Sequence, residues 1–258
     1  MLTALRRSFR IISLLLYCSL TMLFAALSQL FTFGIWRKVK SGAFWAKRWS
    51  RGAARLTGLR IKIHGNIPED KGFLVVANHL GYLDIPALGS ILPLRFAPKA
   101  EIRKWPFFGW LTALGAPIWI DRKNPRMSAQ YATAFKETLE HGISMLVFPE
   151  GTSTDGKHGL LPFKSTAFAA ALECRASILP VLLFYRGRDG GDGTESAWHD
   201  KTPFAKHVWQ VLGSAGTDID IYILPETQTS GVTDRKVLAA KIHDLMEEEY
   251  WKIEKTYR

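Results

Sequence analysis

From Ile11 to Trp36 the chain runs through 26 positions without a charged residue. As a helix that stretch is about 39 Å long, against about 30 Å for the hydrocarbon core of a bilayer. It is long enough to span a membrane with tilt. It can equally break near Gly34 or fold back as a hairpin within one leaflet. A cleaved signal peptide is a further option, because Ala26-Leu27-Ser28 supplies small residues at a cut site. The basic segment that follows suits a membrane-surface anchor better than a translocation flank. More Lys and Arg follow the apolar stretch than precede it, which predicts a body on the cytoplasmic side of the inner membrane.

Charge is distributed unevenly. Net charge is +11, yet no acidic residue occurs before Glu69, and twelve of the 34 Lys and Arg lie in that first part. The remaining body is close to neutral, which argues against a nucleic-acid-binding surface and leaves the lipid bilayer as the expected partner. On a helical wheel of Phe44–Leu56, Lys47, Arg48, Arg51 and Arg55 share one side, with Trp45, Trp49, Ala53 and Leu56 opposite. That pattern predicts an amphipathic helix in the headgroup region, its tryptophans toward lipid; an ordinary amphipathic helix packed on the domain is the alternative. Residues 1–58 are thus expected to be a membrane anchor that can be removed without loss of the fold, and 59–258 the functional domain. Cys18 and Cys174 are two isolated cysteines, read as small apolar fillers, and no CxxC or HExxH pattern suggests a metal.

Beyond Gly58, short apolar runs alternate with helical patterns. Strands are expected at Ile61–His64, Phe73–Ala77, Arg95–Pro98, Pro117–Ile120, Ser144–Phe148, Ile178–Tyr185 and Ile219–Leu224. Helices are expected at Ile85–Ile91, Ile102–Leu114, Ala129–His141, Thr166–Glu173 and Arg235–Lys255. This rhythm predicts an α/β fold with a mostly parallel sheet flanked by helices. The Gly- and charge-rich segment from Arg186 to Glu195 fits no EF-hand spacing and reads as a solvated loop.

Four places along the body carry chemistry. The first is Asn78-His79-Leu80-Gly81-Tyr82-Leu83-Asp84, between a buried strand and a helix start at Asp84-Ile85-Pro86. Five residues apart on one helix, His79 and Asp84 would diverge; across a strand–turn–helix corner they can converge. A carboxylate on one imidazole nitrogen leaves the other free as a base. Asp84 can also be no more than a helix cap. The second is Phe148-Pro149-Glu150-Gly151-Thr152, where an acid and a glycine follow a strand; functional groups in open α/β sheets gather at such carboxyl ends. The third is Asp121-Arg122 at the end of another apolar run, where Arg122 is suited to a phosphate or, equally, to a surface pair with Asp121. The fourth, Ile178-Leu179-Pro180-Val181-Leu182, reads only as core.

Taken together and in this order, these patterns resemble the PlsC-type glycerophospholipid acyltransferase family. Its N-H-x-x-x-x-D motif matches Asn78, His79 and Asp84, its second motif matches Asp121-Arg122, its F-P-E-G-T motif matches Phe148–Thr152, and its apolar stretch with a central proline matches Pro180. The Lys99…Pro106-Phe107-Phe108-Gly109-Trp110 segment is also similar to the family's. The resemblance covers about Ile61 to Tyr222.

The resemblance implies acyl transfer in membrane lipid biosynthesis from acyl-CoA or acyl carrier protein to the free hydroxyl of a lysolipid, with no other cofactor and no metal. It implies that His79 is the general base and Asp84 its orienting partner, that Glu150, Gly151 and Thr152 bind the acceptor, and that Arg122 binds its phosphate. Lys99 and Lys164 are possible contacts for the donor or a phosphate. No G-x-S-x-G elbow advertises a serine nucleophile, which agrees with direct attack by the acceptor. A lipid thioesterase or phospholipase using the same dyad, and a non-catalytic lysolipid-binding protein, remain alternatives. The family's third motif usually carries arginine where this chain has Ser153, which removes a permanent positive charge from the acceptor site. A lyso-ornithine lipid or other lyso-aminolipid is therefore as good an acceptor as lysophosphatidic acid. His141, His199 and His207 read as structural, and His158 as a possible acceptor contact.

Overall fold

The computed structural model describes residues 2–69, 72–121, 124, 127–188 and 191–256. Two helices, α1 (Leu2–Leu30) and α2 (Ile35–Thr57), form an N-terminal hairpin. Six strands follow: β1 (Leu59–His64), β2 (Leu74–Ala77), β3 (Leu94–Arg95), β4 (Ser144–Val147), β5 (Ile178–Gly187) and β6 (Thr217–Ile223). The helices between and after them are α3 (Asp84–Ile91), α4 (Phe108–Leu114), α5 (Ser128–Glu140), α6 (Thr166–Glu173), α7 (Phe204–Gly213) and α8 (Arg235–Glu254).

The strands form one sheet in the order β1-β6-β5-β2-β4-β3. The pairings β1–β6, β2–β5, β2–β4 and β3–β4 are parallel and β5–β6 is antiparallel, so the sheet is mostly parallel, as expected. Alternation along each strand sends side chains to two cores. Val75, Ala77, Leu179, Leu183 and Ile221 pack against Leu88 and Ile91 of α3 and Ala54 of α2. On the other face Leu74, Val76, Leu182 and Phe184 meet Phe135 of α5, Phe168 of α6 and Ile242, Met246 and Tyr250 of α8. A run such as Leu74-Val-Val-Ala77 is apolar throughout because both its faces are covered.

The chain leaves β2 through α3 toward β3 on one side, and leaves β4 through α6 toward β5 on the other. The two helices lie in different cores. A crevice opens where neighbouring parallel strands send their continuations in opposite directions. Here it lies beyond the carboxyl ends of β2 and β4, which carry the first and third motifs.

Several sequence expectations are corrected. The helix expected over Ile102–Leu114 is split into a 3-10 helix at Ala100–Lys104 and α4, because Pro106 has no N–H and holds Trp105 extended. Of the strand expected at Arg95–Pro98 only the start is a ladder strand. Pro117–Ile120 is not one, although Ile118 and Ile120 donate to Phe96 and Pro98 carbonyls at 3.0 and 2.8 Å. Helix α7 was not expected; its buried His207, Val211 and Leu212 follow helical spacing.

The hairpin also departs from expectation. α1 is the one helix among the described residues long and apolar enough to cross a bilayer. It exposes Leu5, Phe9, Ile12, Leu16, Leu20, Leu23 and Leu27, which recur at steps of three and four and make one continuous apolar face. Its first turns are fastened to the body. Arg6 donates to Gly213 O at 3.2 Å, Arg7 to Trp209 O at 2.9 Å, and the buried Arg10 to Leu212 O and Ser214 O at 3.2 and 2.8 Å. Three guanidinium groups thus meet carbonyls in and just past the last turns of α7, where positive charge is favourable.

Trp45 and Trp49 meet α1: their indole N–H groups donate to Ser28 Oγ at 2.7 Å and Cys18 Sγ at 3.2 Å. α2 buries Val39, Ala43, Ser50, Ala53 and Ala54. The hairpin is therefore part of the packed body, and its removal would uncover a core face.

Candidate active site

β2 ends at Ala77, and the next residue extends its pairing with a side chain in place of backbone. The buried Asn78 amide donates to Leu183 O at 3.0 Å and accepts from Leu183 N–H at 2.8 Å. The chain can then turn away while β5 keeps its hydrogen bonds. Within the turn, Gly81 sits at φ 152 with Trp198 packed so closely that an added Cβ would lie 2.8 Å from its backbone nitrogen. That close approach needs a residue without a side chain.

The turn brings His79 and Asp84 together. His79 Nδ1 lies 2.7 Å from Asp84 Oδ2, the same oxygen that accepts from Leu80 N–H at 2.8 Å and Gly81 N–H at 3.1 Å. Asp84 begins α3 but does not cap it: Leu83 is the N-cap, and the Asp84 carboxylate folds back onto the turn. The carboxylate is fully buried, whereas the His79 side chain is 23% exposed. A carboxylate has no proton to give, so Nδ1 carries the hydrogen and Nε2 is left with a lone pair. The imidazole is stacked on Phe148 at 4.0 Å between ring centroids.

Glu150 is placed otherwise than the acceptor role implies. It is buried, and its two carboxylate oxygens accept from His79 N–H at 3.0 Å and Leu161 N–H at 3.1 Å. Burial pushes its carboxyl above the usual range, and these two N–H donors pull it back in part. Glu150 thus joins the first motif to the loop after β4. That loop is pinned from behind by α8, where Glu247 accepts from Leu160 N–H and Tyr250 donates to Gly156 O.

Gly151 adopts φ 77, and an added Cβ would lie 2.3 Å from Lys164 Nζ, so the Lys164 ammonium lies across the glycine. At the position where the family usually has arginine, the Ser153 hydroxyl donates to Trp198 O at 2.6 Å.

A cavity of about 940 Å³ opens at this point. Its lining includes His79, Gly151, Thr152, Ser153, Lys164 and Lys99. Its apolar walls include Trp45 and Trp49 from the hairpin, Phe96, Phe108 and Phe135. The structure therefore brings His79, Asp84, Gly151, Thr152, Lys99 and Lys164 to one chamber or its edge. Glu150 stands behind it, and Arg122 lies outside the described residues. His158 is exposed and paired with Asp155, away from the cavity lining.

Two polar residues of the site were missed from sequence. Tyr185 on β5 donates to Asp84 Oδ1 at 2.5 Å. Tyr82, which lines the cavity, meets His207 Nδ1 at 3.0 Å, while His207 Nε2 lies 3.1 Å from Ala197 O. A carbonyl only accepts, so Nε2 holds the hydrogen of a neutral His207, and Tyr82 donates to Nδ1. No sequence signal marks either partner, because each contact crosses from one element to another far along the chain.

A mostly parallel α/β sheet carries the His79–Asp84 pair beyond its strand ends, with a chamber beside it; comparison with known proteins gives the class. A family model described as Acyltransferase matches residues 60–183. The lyso-ornithine lipid O-acyltransferase of Rhodobacter capsulatus is 37% identical over 190 residues, covering 72% of this chain and 68% of that protein. The 1-acyl-sn-glycerol-3-phosphate acyltransferase of Neisseria gonorrhoeae is 29% identical over 195 residues, covering 75% and 76%. The crystal structure of the 1-acyl-sn-glycerophosphate acyltransferase PlsC from Thermotoga maritima superposes with a TM-score of 0.67 at 20% identity, covering 97% of this chain and 96% of that one. The chain belongs to the PlsC-type acyltransferase family, and it is an enzyme of the lysolipid acyltransferase kind.

Proposed function

We propose that this enzyme moves a fatty acyl group from a thioester donor, acyl-CoA or acyl carrier protein, to the free hydroxyl of a lyso-ornithine lipid or closely related lyso-aminolipid. The observation that carries the reading is the His79 imidazole, fixed through Nδ1 by buried Asp84, beside a chamber of about 940 Å³ with apolar walls. His79 Nε2 takes the proton of the acceptor hydroxyl as its oxygen attacks the thioester carbonyl. The new C–O bond forms, the C–S bond breaks, and the proton passes from Nε2 to the departing thiolate. General-base assistance of this kind contributes about 10² to 10⁴ in rate. The remainder comes from aligning two substrates along the apolar walls and from the fixed charges that line the chamber.

Two observations favour the amino-acid headgroup. The family's arginine is replaced by Ser153, whose hydroxyl is already used by Trp198 O, so the site lacks that bidentate phosphate ligand. The Lys164 ammonium across Gly151 is a point charge suited to a carboxylate. Relatives named for lyso-ornithine lipid also stand among the most similar. Lysophosphatidic acid is the second reading, favoured by the relatives named for that acceptor.

The hairpin supports a membrane position with the body on one side. Arg6, Arg7 and Arg10 hold the start of α1 on α7, and α2 returns to β1, so both ends of the hairpin lie against the body. The exposed apolar face of α1 then lies in the outer part of one leaflet, with the chamber beside it, on the cytoplasmic face of the inner membrane.

The test is an acceptor panel with purified enzyme and one acyl-CoA. The expected result is labelled acyl chain in lyso-ornithine lipid well ahead of lysophosphatidic acid. Label appearing only as free fatty acid identifies a hydrolase, and preference for lysophosphatidic acid overturns the assigned acceptor.

A further inference from the structure

The fully buried Asp84 carboxylate is held by four donors. Oδ2 serves His79 Nδ1, Leu80 N–H and Gly81 N–H, and Oδ1 serves one group, the Tyr185 hydroxyl at 2.5 Å. Tyr185 reaches it from β5, 101 residues along the chain. Burial and the neighbouring Asp84 charge raise the phenol well above its ordinary value, so it stays a neutral donor across the working range.

We propose that Tyr185 is a positioning residue for the acyl transfer, a third member of the His79–Asp84 pair that sets how strongly the carboxylate holds the imidazolium formed when His79 takes the acceptor's proton. The inference rests on His79 acting as the base. A hydrogen bond from Tyr185 draws charge from Oδ1 and leaves less for the imidazole. It also fixes the carboxylate plane, so that Oδ2 stays aimed at Nδ1. The other titratable groups around the pair among the described residues are Glu150, from the loop after β4, and Tyr82, from the turn itself, with Lys99 and Lys164 lining the same chamber as His79. Both keep their partners when only the Tyr185 hydroxyl is changed.

The experiment uses the full chain in lipid nanodiscs, with acyl transfer followed as kcat and KM across pH. Tyr185→Phe removes the donor and keeps the ring. The expected result is a loss in kcat of about tenfold, donor and acceptor KM unchanged, and the acid limb of the pH profile moved to higher pH. The direction follows because a carboxylate stripped of one donor holds the protonated imidazole more tightly.

Incorporating 3-fluorotyrosine at position 185 keeps the hydroxyl and the packing but makes it a stronger donor, and moves the acid limb to lower pH. An acid limb that stays in place in both variants overturns the proposal, whatever happens to kcat, because a packing role would not move it. If the Phe variant fails to fold, the fluorotyrosine arm alone decides. A wild-type enzyme that transfers no acyl group removes the proposed function and this inference with it; a working wild type with an unmoved limb removes only the role of Tyr185.

Discussion

Glu150 accepts the backbone N–H of His79 at 3.0 Å, so the acid of the third motif holds the base of the first by its main chain. The link is short-range because β2 and β4 are parallel neighbours, with Val76 opposite Val147. Both residues sit just past the carboxyl ends of those strands.

Glu150→Gln should therefore damage the position of His79 more than the affinity for the acceptor. Gln has one accepting oxygen for two donors, and its own amide N–H must face one of them. A mispaired buried group costs about 1–3 kcal/mol. The expected outcome is a loss in kcat of about tenfold or more with acceptor KM within about twofold of wild type. Steady-state kinetics on the detergent-purified variant checks this, and a rise confined to acceptor KM would restore Glu150 to the acceptor site.

Asn78→Ala should destabilise rather than selectively inactivate. It strips both hydrogen bonds from the Leu183 peptide in the middle of the sheet. A loss of about 2–4 kcal/mol is expected, measured by chemical denaturation, because the Leu183 N–H and C=O are left buried and unpaired.

The arginine clasp predicts a topology. Cysteines placed at Leu2 and Thr256 should react with a membrane-impermeant maleimide from the same side in sealed inverted vesicles. Label on opposite sides would show that α1 crosses the bilayer and that its contacts with α7 do not form there. Arg10→Ala should loosen the hairpin and raise proteolysis near Gly213 without abolishing membrane association, since the apolar face of α1 is untouched.

His207 predicts an acid-side weakness. Burial lowers it below its usual value near 6.5. Below about pH 6.5 the unfolded chain takes up a proton that the folded chain resists. Stability therefore declines as pH falls from there, and levels off once pH passes below the folded value. Melting temperatures between pH 7.5 and 5 should fall more for wild type than for His207→Gln, which offers an uncharged donor and acceptor to Ala197 O and Tyr82. Equal slopes in the two proteins would show that His207 does not set the acid limit.

What the sequence made legible was local. The His79–Asp84 corner, the strands at β1, β2, β4, β5 and β6 and the acid after β4 all follow from runs of a few residues. What it hid was the other end of each long-range contact. The side of α2 that carries Trp45 and Trp49 is apolar whether it meets lipid or α1, and only packing decides between them. α7 was obscured because its inward face includes His207, a polar residue satisfied by Tyr82 and Ala197 rather than an apolar one. The break at Trp105-Pro106 was readable from the proline, but the flanking helical pattern masked it. Tyr185 carried no signal, since a tyrosine at the end of an apolar strand reads as core until Asp84 is seen beneath it.

The central claim is that His79 removes the acceptor's proton, and its most direct test is single-turnover transfer of a radiolabelled acyl group by His79→Ala in nanodiscs of wild-type lipid composition. The predicted result is a fall in the transfer rate of about 10² to 10⁴, with membrane association and thermal stability retained. Transfer within a few-fold of wild type by a folded, membrane-bound His79→Ala protein would contradict it.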